Sequence, residues 1–291
     1  MADSRGADRR VSVVYLNGEF VERPRAMVSV DDRGFVFGDG VYEVTRASNG
    51  RLFEPERHLL RLARSLREIA ITVPDADLGG LLGVWQRLLR ENGLESGAAI
   101  VYLQITRGAA VRAHQFPPVG TRPTVFASAT ALPLPTAIRA RGARAITVPD
   151  IRWSRCDIKT VTLLPNVLAK QRAVEAGADE ALFVRDGVLM EGSASNVFAV
   201  IDGTVCTHPV STYILRGITR DVVLELAQAA DLPVCERPIL LDELPRTTEL
   251  FYTNTTGDVM PIVTVDTRSV DDGRPGPIAG KLYADLAKRI G

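Results

Sequence analysis

Asp150-Ile-Arg-Trp-Ser-Arg-Cys-Asp-Ile-Lys-Thr-Val-Thr-Leu-Leu164 holds the residue on which the fold and the chemistry both turn, Lys159. Of the 35 basic residues only four are lysine: Lys159, Lys170, Lys281 and Lys288. Arginine keeps its proton at working pH, whereas a lysine amine can lose its own once burial lowers its pKa, and can then bond a carbonyl carbon. Lys170 falls on a helix-like run, Asn166 to Ala176. Lys281 and Lys288 fall on the polar side of an amphipathic C-terminal helix. Cys156 to Leu164 reads as a strand, and period-two alternation puts Lys159 on one face with Val161 and Leu163. An ammonium on an apolar face is costly unless neutralised, paired or chemically converted. On spacing alone, a lysine paired with Asp157 or snorkelling at a strand end is the more ordinary explanation, and the rest of the chain shifts that balance.

The chain has 291 residues, long enough for one large or two modest domains. A hydrophobic content of 46% and a charged content of 24% suit a globular enzyme. Formal net charge is zero, so neither nucleic acid nor an anionic membrane is expected as a partner. No apolar run approaches the roughly 18 residues of a membrane span. Met1 to Arg10 is polar, reads as a loose tail and lacks the apolar core of a signal peptide. Cys156, Cys206 and Cys235 are odd in number and widely spaced, as expected of free thiols in a reducing cytoplasm. The three histidines have no ligand spacing, so no metal is expected.

In the N-terminal half, Val11–Leu16 and Glu19–Glu22 read as a hairpin across Asn17-Gly18. Glycines 34, 38 and 40 lead into a strand with Tyr42 and Val44 on one face and Val41, Glu43 and Thr45 on the other. Glu56 to Ala70 is helical, with Arg61 at the edge of its apolar stripe; Leu78 to Arg90 is a second helix. Ala99–Thr106 and Thr124–Ala131 are strands. In the intervening loop Arg112 and His114, two residues apart, can converge on one anion, or can simply be solvated. Leu132-Pro-Leu-Pro-Thr136 reads as a stiff linker between a domain at 11–131 and one at 137–291.

The C-terminal half alternates strands with Asp-Gly turns: 143–148, 179–185, 187–191, 196–201 and 204–207. Glu191 ends one strand and is followed by small residues, either a plain turn or a buried acceptor in a thin-walled site. Leu215 to Asp221 opens a helix to about Ala229, whose Gly217-Ile218-Thr219 start offers free N–H groups and a hydroxyl, for capping or for phosphate. Phe251 to Gly257 ends a strand in a hydroxyl-rich turn, and Pro277 to Ile290 closes the chain as a helix.

Eight segments in this order resemble the fold-type IV pyridoxal-phosphate aminotransferases, a branched-chain-aminotransferase-like family, and within it the D-amino-acid transaminases. They are Asp32-Arg-Gly-Phe-Val-Phe-Gly-Asp-Gly-Val-Tyr-Glu-Val, Thr106-Arg-Gly, Arg112-Ala-His-Gln-Phe-Pro, the Asp150 to Lys159 stretch, Val167-Leu-Ala-Lys-Gln, Glu191-Gly-Ser-Ala-Ser-Asn-Val-Phe, Leu215-Arg-Gly-Ile-Thr-Arg-Asp-Val-Val and Thr253-Asn-Thr-Thr. The resemblance implies an α+β fold with a smaller α/β N-terminal domain and a larger, β-barrel-like C-terminal domain. It implies pyridoxal 5'-phosphate as cofactor, held covalently by the catalytic Lys159 with Glu191 on its pyridine nitrogen. Arg61, Gly217, Ile218, Thr219 and Thr255 then form the phosphate cup. Arg152, Ser195, Asn196, Leu215 and Asn254 lie around the coenzyme. Tyr42, Val44, Arg112 and His114 bind the substrate, with the Arg112/His114 loop crossing from the partner of a homodimer. Ala194 and Asn254 stand where relatives carry serine, which bears on pocket shape. The implied activity is transfer of the amino group of a D-amino acid, such as D-alanine or D-glutamate, to 2-oxoglutarate or pyruvate. The Arg112/His114 pair favours this over an (R)-amine or branched-chain L-amino-acid transaminase, or an aminodeoxychorismate-lyase-like enzyme.

Overall fold

A computed structural model describes residues 12–73 and 75–291; the tail at Met1 to Arg10 and Val11 of the first strand lie outside the described residues. The chain divides into two compact units, one ending at Leu132 and one beginning at Pro133.

In the first unit the chain runs β1 (Val13–Leu16), β2 (Glu19–Glu22), α1 (Arg33–Phe37), β3 (Gly40–Ser48), β4 (Arg51–Leu52), α2 (Pro55–Glu68), α3 (Asp75–Glu91), β5 (Ala98–Thr106) and β6 (Thr124–Ala131). Its six strands form one antiparallel sheet, ordered β2-β1-β6-β5-β3-β4. Alternation works here as the sequence suggests: Val41, Glu43 and Thr45 are buried while Tyr42 and Val44 are half-buried on the other face. Helices α2 and α3 cover the buried face with Leu62, Leu66, Leu81, Trp85 and Leu88. One turn was not foreseen. Asp32 caps α1 by accepting from Gly34 N at 2.8 Å, and Gly38 ends it in the left-handed region at φ 68.

The second unit runs α4 (Thr136–Arg141), β7 (Ala143–Pro149), α5 (Leu164–Glu175), β8 (Glu180–Arg185), β9 (Val188–Gly192), β10 (Asn196–Ile201), β11 (Thr204–Thr207), α6 (Ile218–Ala229), β12 (Val234–Glu236), β13 (Ile239–Leu240), β14 (Thr247–Asn254), β15 (Asp258–Val265), β16 (Arg268–Ser269) and α7 (Pro277–Ile290). Its ten-stranded mixed sheet, ordered β12-β11-β10-β14-β15-β7-β8-β9-β13 with β16 on β15, curls into half a barrel. Leu182, Leu189, Val197, Leu250, Met260 and Ile262 fill one face. A second cluster, Val148, Ala169, Ala173, Phe183 and Met190, lies under α5.

The strand expected over Cys156–Leu164 is not there. Residues 150–163 form an irregular connection between β7 and α5 with one isolated bridge residue, Thr160. Short-range polar contacts turn the backbone instead of extending it. Arg152 N donates to Asp150 Oδ1 at 3.1 Å, Arg155 Nε to Asp157 Oδ1 at 3.0 Å, and Thr160 N to Ile158 O at 2.8 Å. Cys156 N is drawn to Thr212 O at 2.7 Å. Lys159 therefore has no strand alternation with Val161 and Leu163. It is half-buried, between the buried Ile158 and Thr160.

Candidate active site

In the second unit the constellation is built on Glu191, at the end of β9, whose carboxyl is almost fully enclosed. Arg152 Nη1 donates to its Oε1. Leu215 N donates to Oε2 at 3.0 Å and Asn196 Nδ2 to the same oxygen at 3.2 Å. Burial raises the Glu191 carboxyl to about 7, despite the opposing charge and hydrogen bond of Arg152. Arg152 is itself clamped. Its Nε and Nη2 donate to Asp150 at 2.9 and 3.0 Å, Nη2 also donates to Tyr213 O at 3.2 Å, and its guanidinium lies 4.2 Å above the Phe183 ring. Burial works against that charge, but Asp150 and Glu191 raise the Arg152 pKa above the usual arginine value.

Asn196 joins this carboxylate to the start of α6. Its Nδ2 also donates to Leu215 O at 2.8 Å, and a β-carbon on Gly217 would overlap its Oδ1. That close approach requires glycine at 217. Helix α6 begins at Ile218 with no side-chain cap, so the first N–H groups of a twelve-residue helix, with the buried Thr219 beside them, have no side-chain acceptor. An acceptor-poor helix start beside a carboxyl that binds a proton near neutrality suits a ligand with an anionic end and a basic ring nitrogen. Leu215 is half-buried just ahead of this start.

Two residues expected around the coenzyme also bind within the chain. Ser195 Oγ donates to Glu180 Oε2 at 3.0 Å, and Asn254 Oδ1 accepts from Thr256 N at 3.1 Å and from Gly257 N, closing the turn that carries Thr255. Glu180, which sequence reasoning passed over, also accepts from Ser193 Oγ and from Ser193 N at 3.2 Å. It thus fastens the turn between Glu191 and Asn196 from behind. The only signal was an acidic residue heading the apolar run Ala181–Val184.

In the first unit, Glu43 is fully buried on β3 and engages two residues of α2. Arg61 donates from Nε to Oε1 at 2.7 Å and from Nη2 to Oε2 at 2.8 Å; His58 Nδ1 lies 2.7 Å from Oε2. Burial would raise the Glu43 pKa, but Arg61 and then His58 bring it down to about 2. Two parallel bonds to Glu43 fix the Arg61 guanidinium. Tyr42 and Val44 lie on the half-buried face of the sheet. Tyr42 stacks on Tyr102 at 5.9 Å, and Tyr102 donates to Gln104 Oε1 at 2.7 Å. Burial and the neighbouring Tyr42 push the Tyr102 hydroxyl up to about 12.

Arg112 and His114 are exposed, and both lie against Phe37: the guanidinium at 5.2 Å and the imidazole at 5.6 Å from its ring. Their loop is held from beneath by charges the sequence did not single out. Arg33 donates to Ala113 O at 2.6 Å and to Asp39 Oδ2 at 2.8 Å. Arg107 donates to the same carboxylate at 2.7 and 2.9 Å and to Ile69 O and Ala70 O at 2.6 and 2.9 Å. Asp39 is held below the usual carboxylate range; its burial is outweighed by Arg107 and Arg33.

Residues 40–265 match the family described as amino-transferase class IV. The chain belongs to the class IV aminotransferases. It is 41% identical over 281 residues to a D-alanine aminotransferase of Staphylococcus haemolyticus, covering 95% of this chain and 97% of that one. The D-alanine aminotransferase of Bacillus licheniformis is likewise 41% identical, over 95% of this chain and 96% of its own. Among solved structures, a branched-chain amino acid aminotransferase complexed with N-(5'-phosphopyridoxyl)-L-glutamate, from the organism abbreviated T.th., superposes with a TM-score of 0.87 at 28% identity, covering 97% of this chain and 94% of that one. The same enzyme with pyridoxamine 5'-phosphate gives 0.88 at 27% identity over the same shares. This class IV aminotransferase therefore has the fold-type IV architecture, and its reaction is amino-group transfer between amino and oxo acids. Among the described residues no helix is long and apolar enough to cross a membrane, and no cluster of three or more His, Cys, Asp or Glu could hold a metal.

Proposed function

We propose that this aminotransferase uses pyridoxal 5'-phosphate to move the amino group of a D-amino acid, such as D-alanine or D-glutamate, to 2-oxoglutarate or pyruvate. One observation carries the coenzyme assignment: Glu191, with its carboxyl raised to about 7, lies beside the uncapped start of α6. The D-specific assignment draws on the D-alanine aminotransferase relatives at about 40% identity over nearly the whole chain.

When bound, pyridoxal phosphate supplies an electron sink for negative charge at the amino acid's α-carbon. The chain supplies the rest. Glu191 holds a proton against the ring nitrogen. The N–H groups of Ile218 and Thr219 and the hydroxyls of Thr219 and Thr255 would hold the phosphate, with Arg61 as a further proposed donor. Lys159 would hold the coenzyme through its side-chain amine, and that amine would be the base that carries the substrate's α-proton. Leu215 would line the coenzyme ring, and Arg152 fixes the Glu191 carboxylate that would meet it. Tyr42, Arg112 and His114 bind the substrate α-carboxylate, and Val44 lines the side-chain wall; this orients the Cα–H bond for transfer. Ser195, Asn196 and Asn254 would line the coenzyme from the turns that Glu180 and Gly257 help to hold. We further propose a homodimer in which the Arg112/His114 loop serves the neighbouring subunit, a domain boundary at 132–136, and a cytoplasmic setting.

The test is a stereospecific donor panel on the coenzyme-loaded protein: both enantiomers of alanine, glutamate and leucine, and an (R)-amine, each with 2-oxoglutarate. D-alanine or D-glutamate should be the fastest donor. Preference for L-leucine or the (R)-amine overturns the assignment, as does pyruvate release from aminodeoxychorismate without an amino acceptor.

A further inference from the structure

Cys206 and Cys235 take no part in the site described above. They lie on neighbouring parallel strands, β11 and β12, and the register places them directly opposite each other. In-register residues of adjacent strands point to the same face, and such strands lie about 4.7–4.9 Å apart. That separation falls inside the roughly 4.4–6.8 Å between α-carbons that a disulfide spans. The two thiols differ in access. Cys206 is 2% exposed in the core and donates weakly to Thr204 O at 3.6 Å, whereas Cys235 is half-buried. β12 is the terminal strand of its sheet and pairs only with β11, so a small lateral shift costs no second ladder. Arg237, two residues beyond Cys235, is held by Glu243 through two contacts of 2.8 Å, and its charge acts on the Cys206 thiol. Burial holds the Cys206 thiol above its ordinary value and Arg237 only moderates the rise, so Cys206 is the resolving partner and the more accessible Cys235 the one that meets the oxidant.

We propose that Cys206 and Cys235 form a dithiol that a hydroperoxide closes to a disulfide. The accessible Cys235 sulfur attacks the O–O bond; an S–O bond forms, the alcohol or water leaves, and Cys235 becomes a sulfenic acid. The Cys206 sulfur then attacks the Cys235 sulfur; the S–S bond forms and the second oxygen leaves as water. Two thiols lose two electrons and two protons, and one peroxide is reduced. The bond closes a loop over residues 206–235, which contains Leu215, Gly217 and the whole of α6. Oxidation thus ties down both ends of the excursion that carries the helix start. Cys156 is the internal control: burial pushes its thiol up to about 11, and it donates to Trp153 O at 3.2 Å.

The experiment treats the coenzyme-loaded enzyme with one equivalent of hydrogen peroxide and counts thiols after denaturation. The expected result is a fall from three thiols to one, a non-reduced peptide linking Cys206 to Cys235, and full reversal by dithiothreitol. Cys235→Ser should keep Cys206 as a free thiol under the same treatment. Three remaining thiols, a sulfinic acid on Cys235 beside a free Cys206, or a disulfide between two chains each overturns the proposal. Loss of the Cys206 thiol in Cys235→Ser overturns it as well. None of these readouts depends on which amino acid the enzyme prefers.

Discussion

Glu191 and Lys159 have different demands on their surroundings. Glu191 needs burial to bind a proton near neutrality, and Arg152, Asn196 and Leu215 N–H to keep it in place. In the role proposed for it, Lys159 must bond and release, and it sits half-buried on an irregular connection. We expect Lys159→Ala to show no donor-dependent change in coenzyme absorbance; a normal half-reaction with D-alanine would remove the lysine from its role. Arg112→Ala should lower kcat/KM for D-amino acids by roughly 10- to 100-fold, the worth of a hydrogen bond to a charged group at about 1.5–3 kcal/mol. An unchanged kcat/KM with D-alanine would take the carboxylate away from Arg112. Glu180→Gln leaves the volume but turns one acceptor towards Ser193 and Ser195 into a donor. It should cost about 2 kcal/mol in urea unfolding and loosen the coenzyme, read as a raised dissociation constant by absorbance titration.

At the level of the element, helix α6 gathers the proposed phosphate contacts at its first turn. Gly217→Ala sets a β-carbon against Asn196 Oδ1, so either the helix start or the Asn196 link to Glu191 must move. We expect at least about tenfold weaker coenzyme binding, roughly 1.4 kcal/mol, with an unchanged far-ultraviolet circular dichroism spectrum. The elements themselves were largely legible. The Asp-Gly turns delimited β8 to β11 within a residue or two, because left-handed Asp186 and Asp202 followed by glycine leave the chain little choice but a hairpin. The apolar stripes gave α2, α6 and α7. The Lys159 stretch misled because alternation describes a backbone already extended. Asp150, Asp157 and Thr160 bind close to themselves and bend it. Candidate site residues that lie in motifs stand out in the sequence one by one. The carboxylates that hold them, Asp39, Glu43 and Glu180, do not, because their partners are far away in sequence or on another element.

Across the whole molecule, buried carboxylates make stability depend on pH in opposing senses. Glu43 has a folded pKa of about 2, so its contribution is present above the ordinary value of 4.5 and is lost as pH falls towards 2. Glu191 has a folded pKa of about 7, so the folded chain keeps a proton that the unfolded chain has lost between 4.5 and 7. Its contribution is therefore full below 4.5 and declines as pH rises to 7. We expect the coenzyme-free Glu191→Gln protein to lose less of its urea midpoint between pH 5 and 7 than the parent. An identical slope in the two proteins would show that Glu191 titrates normally. Finally, Asp39 receives both Arg33 and Arg107, and Arg33 also reaches the backbone at Ala113. The rim segment carrying Arg112 and His114 is thus bolted at its base and exposed at its tip. Under the carboxylate role proposed for it, the tip is an exchangeable cassette, open to rewriting in nature or at the bench while the frame beneath stays untouched.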